Sequence, residues 1–183
     1  MPVRFQHDQQ PTTIYFVTFT CYKWLSLIQE TNTYDGVYKW FDSLYSHNIY
    51  VTGYVIMPNH VHALLYFPEM PKSLNTVIGN AKRFLAYEIV KRLEEMKANS
   101  LLDTLHAGVK KRERKKGQIH KVFEDSFDAK ECHSTKFILQ NLSTCITTRL
   151  VKDGNLQMTL RIMNIPVHHF MKREQKSMKT LYT

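Results

Sequence analysis

Two β-rich runs separated by a Pro-Asn pair constrain the fold of this chain more than any other feature. The runs are IYVTGYVIM and HVHALLYF, and Pro58 and Asn59 stand between them. Runs rich in β-branched and aromatic residues that are joined by so short a turn sequence are typical of an antiparallel hairpin. We therefore expect an antiparallel sheet, with His60 and His62 on the second strand of the hairpin.

Extended and helical patterns surround this hairpin. The stretch TIYFVTFTCY, residues 13–22, alternates β-branched and aromatic residues and predicts an earlier strand. A helix follows it, because apolar residues recur at intervals of three and four; they are Val37, Trp40, Phe41 and Leu44. The longest helix begins after Ser73, which suits an N-cap. Its apolar residues, at mostly helical spacing, are Leu74, Val77, Ile78, Phe84, Leu85, Ile89 and Leu93.

The order of these elements predicts the fold class. A charge run between two glycines, GVKKRERKKG at residues 108–117, is expected to form an exposed loop or hairpin tip. After it, a further helix carries Phe137, Ile138 and Leu142. The order β, α, β, β, α with a further helix fits a ferredoxin-like α+β fold, in which helices cover one face of an antiparallel sheet.

Apolar runs and cysteines limit the class of protein. No run reaches the roughly 18 to 20 apolar residues that cross a bilayer, and the N-terminus lacks the apolar segment of a signal peptide. The cysteines, Cys21, Cys132 and Cys145, are odd in number and form no CxxC pair, which indicates neither a disulfide framework nor a cysteine zinc site. We expect a soluble, cytoplasmic protein with no membrane partner.

The balance of charge points to one class of partner. A net charge of +9 accompanies 12% aromatic residues. This pairing suits contact with a phosphate backbone and stacking on exposed bases. Solvated lysines also serve solubility, so charge alone leaves nucleic-acid binding open.

The two histidines of the hairpin form the first candidate site. On a strand, residues two apart point to the same face, so His60 and His62 share one space. Two imidazoles at this spacing can bind one divalent cation, and they suit Mn, Zn, Co or Ni better than Mg unless oxygen ligands complete the shell. The pattern also fits two surface histidines on a half-exposed strand, and the pair alone leaves both readings open.

The surroundings of this pair resemble a known family. The string GYVIMPNHVHAL, preceded by YFVTFTCYKW and followed by SLNTVIGNAKRFLAYEIVKRL, resembles the REP-associated tyrosine transposases of the single-tyrosine HUH superfamily. The resemblance runs from about Thr13 to Gln140, and MPNHVH is its most diagnostic piece. It implies a ferredoxin-like HUH domain over residues 1–140, a homodimer, and binding of single-stranded or hairpin DNA. It also implies that His60 and His62 hold Mg or Mn against the scissile phosphate while a tyrosine forms a 5′-phosphotyrosine link.

The nucleophile implied by the resemblance is missing. The family motif reads Tyr, any residue, His, any residue, Asn, Pro, and its matching stretch here is NLSTCITTRLV. The tyrosine position falls on Thr144 and the asparagine position on Thr148. An aliphatic hydroxyl without an evident base is a far poorer nucleophile than a phenol beside a metal, so cleavage is expected to be impaired. Tyr87 in the long helix is an alternative nucleophile, although an aromatic packed at the edge of the core explains it more simply.

The tail at residues 141–183 differs in composition from the rest of the chain. Aromatic residues nearly vanish from it. One codon choice for Leu142 to Arg149 encodes EYMHYNP in the overlapping frame one base earlier, which restores the family motif. We hypothesise that a one-base slip near Gln140 replaced the tail with out-of-frame sequence, which the nucleotide sequence of the gene would test.

Basic side chains supply the candidate DNA contacts. Two of them stand on the long helix and six in the charge run: Lys82, Arg83, Lys110, Lys111, Arg112, Arg114, Lys115 and Lys116. Two other readings of the chain stay open. One is a DNA-binding remnant that grips DNA without cutting it. The other is an unrelated metal hydrolase, for which Glu69, Asp103 and His106 are available as further ligands at no interpretable spacing.

Overall fold

The structure, a computed structural model, describes residues 12–69 and 73–132. Its elements in chain order are β1 (Thr13–Thr20), α1 (Leu27–Glu30), α2 (Tyr34–Tyr45), β2 (Tyr50–Met57), β3 (His60–Phe67), α3 (Leu74–Glu95), α4 (Asn99–Ala107), α5 (Lys111–Arg114) and β4 (Asp128–Cys132). A short helical turn, Tyr22–Trp24, follows β1. The predicted helix around Phe137 and the tail at 141–183 lie outside the described residues.

Four antiparallel strands form one sheet in the order β2-β3-β1-β4. β1 lies between β3 and β4. Its pairing with β3 extends from Thr13–Phe67 to Thr20–His60. Two strands joined by a helix, a hairpin, and a second helical connection to an outer strand are the ferredoxin-like arrangement. The predicted fold class, an antiparallel sheet with helices, is confirmed.

The hairpin that began the sequence argument is β2 and β3, joined at Pro58 and Asn59 as predicted. Its register pairs Met57 with His60 and Val55 with His62. Residues paired across antiparallel strands point to the same face, so the histidines share a face with buried apolar side chains. This register fixes the direction in which both imidazoles project.

The described helices pack on the other face of the sheet. The α2 stripe Val37, Trp40, Phe41 and Leu44 is buried there, as its spacing predicted. Trp40 meets Phe19 edge to face with ring centroids 5.6 Å apart, and α3 joins the same core through residues that include Ala81, Leu85 and Ile89. Tyr15, Val17 and Val61 supply the sheet side of that core.

The long helix begins where its sequence indicates. Ser73 is the N-cap, and its hydroxyl accepts a hydrogen bond from the backbone N–H of Thr76 at 3.2 Å. Phe84 departs from the predicted apolar set because it is 61% exposed. It precedes the buried Leu85 by one position, which is about 100° around a helix, and so faces outward.

The charge run is largely exposed, as expected, but its centre is one helical turn rather than a plain loop or hairpin tip. Lys111–Arg114 forms one helical turn, α5. The Glu113 carboxylate accepts from the backbone N–H of Lys110, and Arg114 donates to the carbonyl oxygens of Val109 and His106. Side chains therefore satisfy the helix ends, a local effect that charge density alone does not reveal. Within residues 12–69 and 73–132, no helix is long and apolar enough to cross a membrane.

Candidate functional site

The imidazoles of His60 and His62 converge on the face of the sheet that the described helices leave open. Their Nε2 atoms are 2.9 Å apart, and the two rings stand nearly perpendicular, at 89°. His60 is only 7% exposed, and His62 is partly exposed. Two nitrogen lone pairs directed at one point can supply two ligands of a metal site. They can also form a hydrogen bond when one nitrogen carries a proton.

The side chain of Asn59 fixes the orientation of His60. The Nδ1 atom of His60 lies 2.6 Å from Oδ1 of Asn59, whose amide nitrogen donates to the carbonyl oxygen of Trp24 at 3.1 Å. Because the amide nitrogen is thus engaged, its oxygen faces the ring and accepts the Nδ1 proton. A neutral His60 then carries its lone pair on Nε2, the atom that faces His62.

The hydroxyl of Thr18 is the partner of Nδ1 in His62, and it can either donate or accept a hydrogen bond. Oγ1 of Thr18 lies 2.7 Å from Nδ1 of His62, across the β1–β3 register. Phe16 stacks on the His62 ring with centroids 5.4 Å apart and an interplanar angle of 18°. When Nε2 of His62 binds a cation, its Nδ1 proton donates to the Thr18 hydroxyl.

The spacing of the two nitrogens fits octahedral coordination. Bonds of about 2.0 to 2.1 Å at right angles place neighbouring ligand atoms about 2.8 to 3.0 Å apart. Tetrahedral zinc with nitrogen bonds of similar length needs about 3.3 Å. The observed 2.9 Å between the Nε2 atoms of His60 and His62 matches the octahedral spacing, and it is also the length of an N–H···N hydrogen bond.

The other ligands of such a cation do not come from a preformed cluster in the described part of the chain. Over residues 12–69 and 73–132, no group of three or more His, Cys, Asp or Glu side chains could hold a metal. Glu69 follows the far end of β3, and Asp103 and His106 stand on α4. The metal-hydrolase reading thus gains no third ligand from these three residues.

A carboxylate that the sequence did not single out lies in the same row of the sheet. Asp128 on β4 pairs with Thr18, which pairs in turn with His62. Two strand spacings separate Asp128 from His62, roughly 10 Å, so contact with a cation at the histidines would run through water or substrate. Only the strand register reveals this neighbour, because Asp128 is far from the histidines along the chain.

The candidate nucleophiles are not brought to the histidines by the described residues. Tyr87 is 68% exposed on α3, and the sheet lies between that helix and the imidazoles. Thr144 and Thr148 lie outside the described residues. Trp24, by contrast, stands beside the site: it is 61% exposed, and its ring meets that of His60 at 5.6 Å.

Three of the eight basic candidates have internal partners. The Lys82 ammonium donates to the carbonyl oxygens of Glu124, Asp125 and Ser126. Burial lowers the pKa of Lys82 to about 8. Arg114 donates to two carbonyl oxygens at the end of α4, as described above.

Lys110 is the third of these, and its partner is Asp125. Its Nζ lies 2.6 Å from that carboxylate, which also pairs with the buried Lys121 at 3.0 Å. Partial burial raises the pKa of Asp125, but hydrogen bonds from Lys110 and Lys121 outweigh it and hold the pKa below the ordinary value. The carboxylate of Asp125 is therefore compensated within the fold.

Five basic candidates remain exposed and face outward: Arg83, Lys111, Arg112, Lys115 and Lys116. Within the described ranges, none of them forms an ion pair with a carboxylate. Arg83 lies over the ring of Phe84, 5.0 Å from its centroid. These five side chains are the ones placed to meet a phosphate.

Comparison with known proteins gives a likeness of fold. No protein-family model matches the chain, and a comparison with curated proteins finds no match. Among solved structures, it is similar to a REP-associated tyrosine transposase bound to a REP hairpin, at 14% identity and a TM-score of 0.49, over 81% of this chain and 76% of that chain. It is also similar to a transposase candidate from Deinococcus radiodurans R1, at 11% identity and a TM-score of 0.43, over 80% of this chain and 98% of that chain.

Proposed function

We propose that this protein is a DNA-binding protein of transposase lineage, in which His60 and His62 hold one divalent cation against a phosphate of single-stranded or hairpin DNA. The convergence of the two Nε2 atoms at 2.9 Å carries the proposal. Each Nδ1 atom has its own partner, Asn59 or Thr18, so both rings are oriented before a cation binds.

Mg or Mn is the cation that this arrangement favours. Both take six ligands at right angles, and phosphate oxygens and water suit them as the ligands that complete the shell. A bound cation would polarise the phosphoryl oxygen and offset its negative charge. The exposed ring of Trp24 offers a surface on which a neighbouring base can stack.

Strand cleavage is the step for which this chain lacks the expected residue. Thr144 stands where the resemblance implies a tyrosine, and its hydroxyl has no evident base. We therefore propose that the chain binds DNA and cuts it poorly or not at all. The reading-frame hypothesis is tested separately, by the nucleotide sequence of the gene. Stop codons in the overlapping frame in place of EYMHYNP would exclude that hypothesis.

A single incubation tests this function. The protein is mixed with Mn and a labelled DNA hairpin, and both binding and covalent attachment are measured. Cation-dependent binding without an adduct is the expected result, whereas an adduct resolved by denaturing electrophoresis would reveal cleavage activity despite Thr144. Absence of binding by a folded protein would contradict the proposal.

A variant pair makes the test specific to the site. The double variant His60→Ala, His62→Ala is expected to lose Mn binding, which can be followed by the electron paramagnetic resonance signal of free Mn. His47→Ala serves as the matched control, because His47 is an exposed histidine that bonds within its own turn at the end of α2. Equal Mn binding by both variants would remove the histidine pair from the site.

A further inference from the structure

A groove of about 690 Å³ runs along α3 on the helical side of the molecule, away from the histidine pair. We call it the α3 groove. One wall is the outward face of α3, and the other is the segment 116–125. Its floor is apolar and consists of Ala86, Val90, Val122 and Phe123. Phe123 reaches down to Phe19 in the core, with ring centroids 5.6 Å apart, which fixes this floor on the helical face of the sheet.

Tyr87 stands on the α3 wall with its ring largely in solvent, at 68% exposure. Within residues 12–69 and 73–132, its ring has no aromatic neighbour and its hydroxyl has no hydrogen-bond partner. Tyr45 is similarly exposed, at 65%, but its ring meets that of Tyr50 at 5.6 Å. The Tyr87 ring is therefore largely exposed at the edge of a groove that also contains apolar side chains.

Cationic side chains flank this ring. Arg83, Tyr87 and Lys91 are four residues apart on α3, which places them on one helical face over about 12 Å. Lys116 belongs to the facing wall. The stretch from Lys110 to Lys121 carries seven lysines and arginines. Two of them, Lys110 and Lys121, pair with Asp125, which leaves five against Glu113.

Three carboxylates also line the groove. Asp125 is compensated by Lys110 and Lys121. Glu124 accepts a hydrogen bond from the backbone N–H of Lys23 at 2.9 Å. Glu94 stands three residues beyond Lys91, toward the C-terminal end of α3. Four basic side chains, Lys82, Arg83, Lys91 and Lys116, thus line the groove with these three carboxylates.

The groove wall is fixed in advance of any ligand. The Lys82 ammonium donates hydrogen bonds to three consecutive carbonyl oxygens, those of Glu124, Asp125 and Ser126. These bonds connect this part of the wall to α3. Lys110 and Lys121 hold the same segment through Asp125. A groove held in this way does not lose the ordering entropy that a mobile loop loses on binding.

We propose that the α3 groove binds an unpaired segment of DNA, with one base stacked on Tyr87 and the flanking phosphates on Arg83 and Lys116. The proposal rests on the proposed function, because it takes DNA as the ligand. It adds a contact surface on the opposite side of the sheet from His60 and His62. An exposed aromatic ring between cationic side chains is the arrangement by which proteins grip single strands without reading their sequence.

The test compares two labelled hairpins, one blunt and one with a short single-stranded flank, against matched tyrosine variants. Tyr87→Ala is expected to weaken binding of the flanked hairpin by about 5- to 150-fold, the effect of one lost base–aromatic stack. Binding of the blunt hairpin is expected to be unchanged. Tyr87→Phe retains the ring and is expected to bind both hairpins as the wild type does.

Tyr45→Ala is the matched control, since Tyr45 has nearly the same exposure but lies on α2. If Tyr87→Ala binds the flanked hairpin like the wild type, the groove proposal is overturned while the proposed function stands. Equal loss in Tyr87→Ala and Tyr45→Ala would overturn it too, because the effect would not belong to the groove. Failure of the wild type to bind either hairpin would overturn both.

Discussion

Nδ1 of His60 lies 2.6 Å from Oδ1 of Asn59, its immediate neighbour in the chain. Asn59 is 7% exposed and sits in the turn that joins β2 to β3, so one tight turn both starts the strand and orients its first imidazole. Its amide nitrogen also donates a hydrogen bond to the carbonyl oxygen of Trp24. The MPNHVH string therefore encodes the proposed ligand together with the group that orients it.

Removal of the Asn59 amide should weaken cation binding while both histidines remain. We expect Asn59→Ala to bind Mn about 10- to 100-fold more weakly, because partners of this kind have effects of that size on metal affinity. Asn59→Asp keeps an oxygen acceptor and should lose less. Asn99→Ala, at an exposed asparagine at the start of α4, is the control. Titration with Mn measures the affinities, and equal affinity in Asn59→Ala and the control would contradict this role.

Thr18 should have the matching effect on His62. Thr18→Val replaces the hydroxyl by a methyl group of similar shape, so Nδ1 of His62 loses its partner at 2.7 Å. We expect Mn binding to weaken about 10- to 100-fold, with recovery in Thr18→Ser, which restores a hydroxyl. The same titration checks this result. Equal Mn affinity in Thr18→Val and the wild type would contradict this role of the hydroxyl.

Local patterns predicted the parts of the fold that depend on neighbours in sequence. The Pro58–Asn59 turn, the α2 stripe and the Ser73 cap all appear where the sequence placed them. β4 was missed because its sequence, DAKEC, has little β-forming character and becomes a strand by pairing with β1. The orienting role of Thr18 was missed for the same reason, since it depends on the register between two strands.

The charge run shows the same limit for the candidate DNA contacts. Sequence treated its six basic residues alike, and the structure gives Lys110 and Arg114 internal partners. Lys82 likewise binds carbonyl oxygens that lie more than forty residues further along the chain. No periodicity predicts such partners, because they depend on how distant segments pack.

This division of the basic residues makes a prediction about salt dependence. Neutralising the outward-facing Lys111, Arg112, Lys115 and Lys116 to glutamine should reduce the slope of log binding constant against log salt by up to about 0.7 to 0.9 per lost phosphate contact. Single-residue variants would then show which of the four contacts DNA. Binding of the hairpin across a salt series measures the slope, and an unchanged slope in the fourfold variant would remove this segment from the DNA interface.

The guanidinium of Arg92 should contribute to stability more than any exposed ion pair. It donates to both oxygens of Asp35 at 2.8 and 2.9 Å and to the carbonyl oxygens of Thr31 and Asn32, with its side chain 22% exposed. Arg92→Met removes all of these hydrogen bonds and leaves Asp35 with its exposed pair to Lys39 alone, so we expect the free energy of unfolding to fall by about 2 kcal/mol. Urea denaturation measures it.

Lys91 provides the control for this loss, because its pair with Glu95 is long, at 3.8 Å, and both side chains are more than 60% exposed. Lys91→Met is expected to change the free energy of unfolding by less than about 0.5 kcal/mol. Similar losses in Arg92→Met and Lys91→Met would indicate that the Arg92 contacts, which link α3 to the start of α2, do not stabilise the fold.

The buried ammonium of Lys82 predicts a rise in stability at alkaline pH. Burial lowers its pKa from 10.5 to about 8 in the folded protein. Between these values the unfolded chain holds a proton that the folded chain has released, so raising the pH favours the folded state. Relative to Lys82→Met, the free energy of unfolding of the wild type should increase by up to about 3 kcal/mol from pH 8 to pH 10.5.

Comparison with Lys82→Met separates the titration of Lys82 from that of other groups. Urea denaturation of the wild type and Lys82→Met across this pH range gives the difference directly, and below pH 8 the difference should stay constant because both states of Lys82 are protonated. Parallel curves for the wild type and Lys82→Met would mean that the pKa of Lys82 is not lowered, and that its carbonyl contacts in the α3 groove wall compensate fully for its burial.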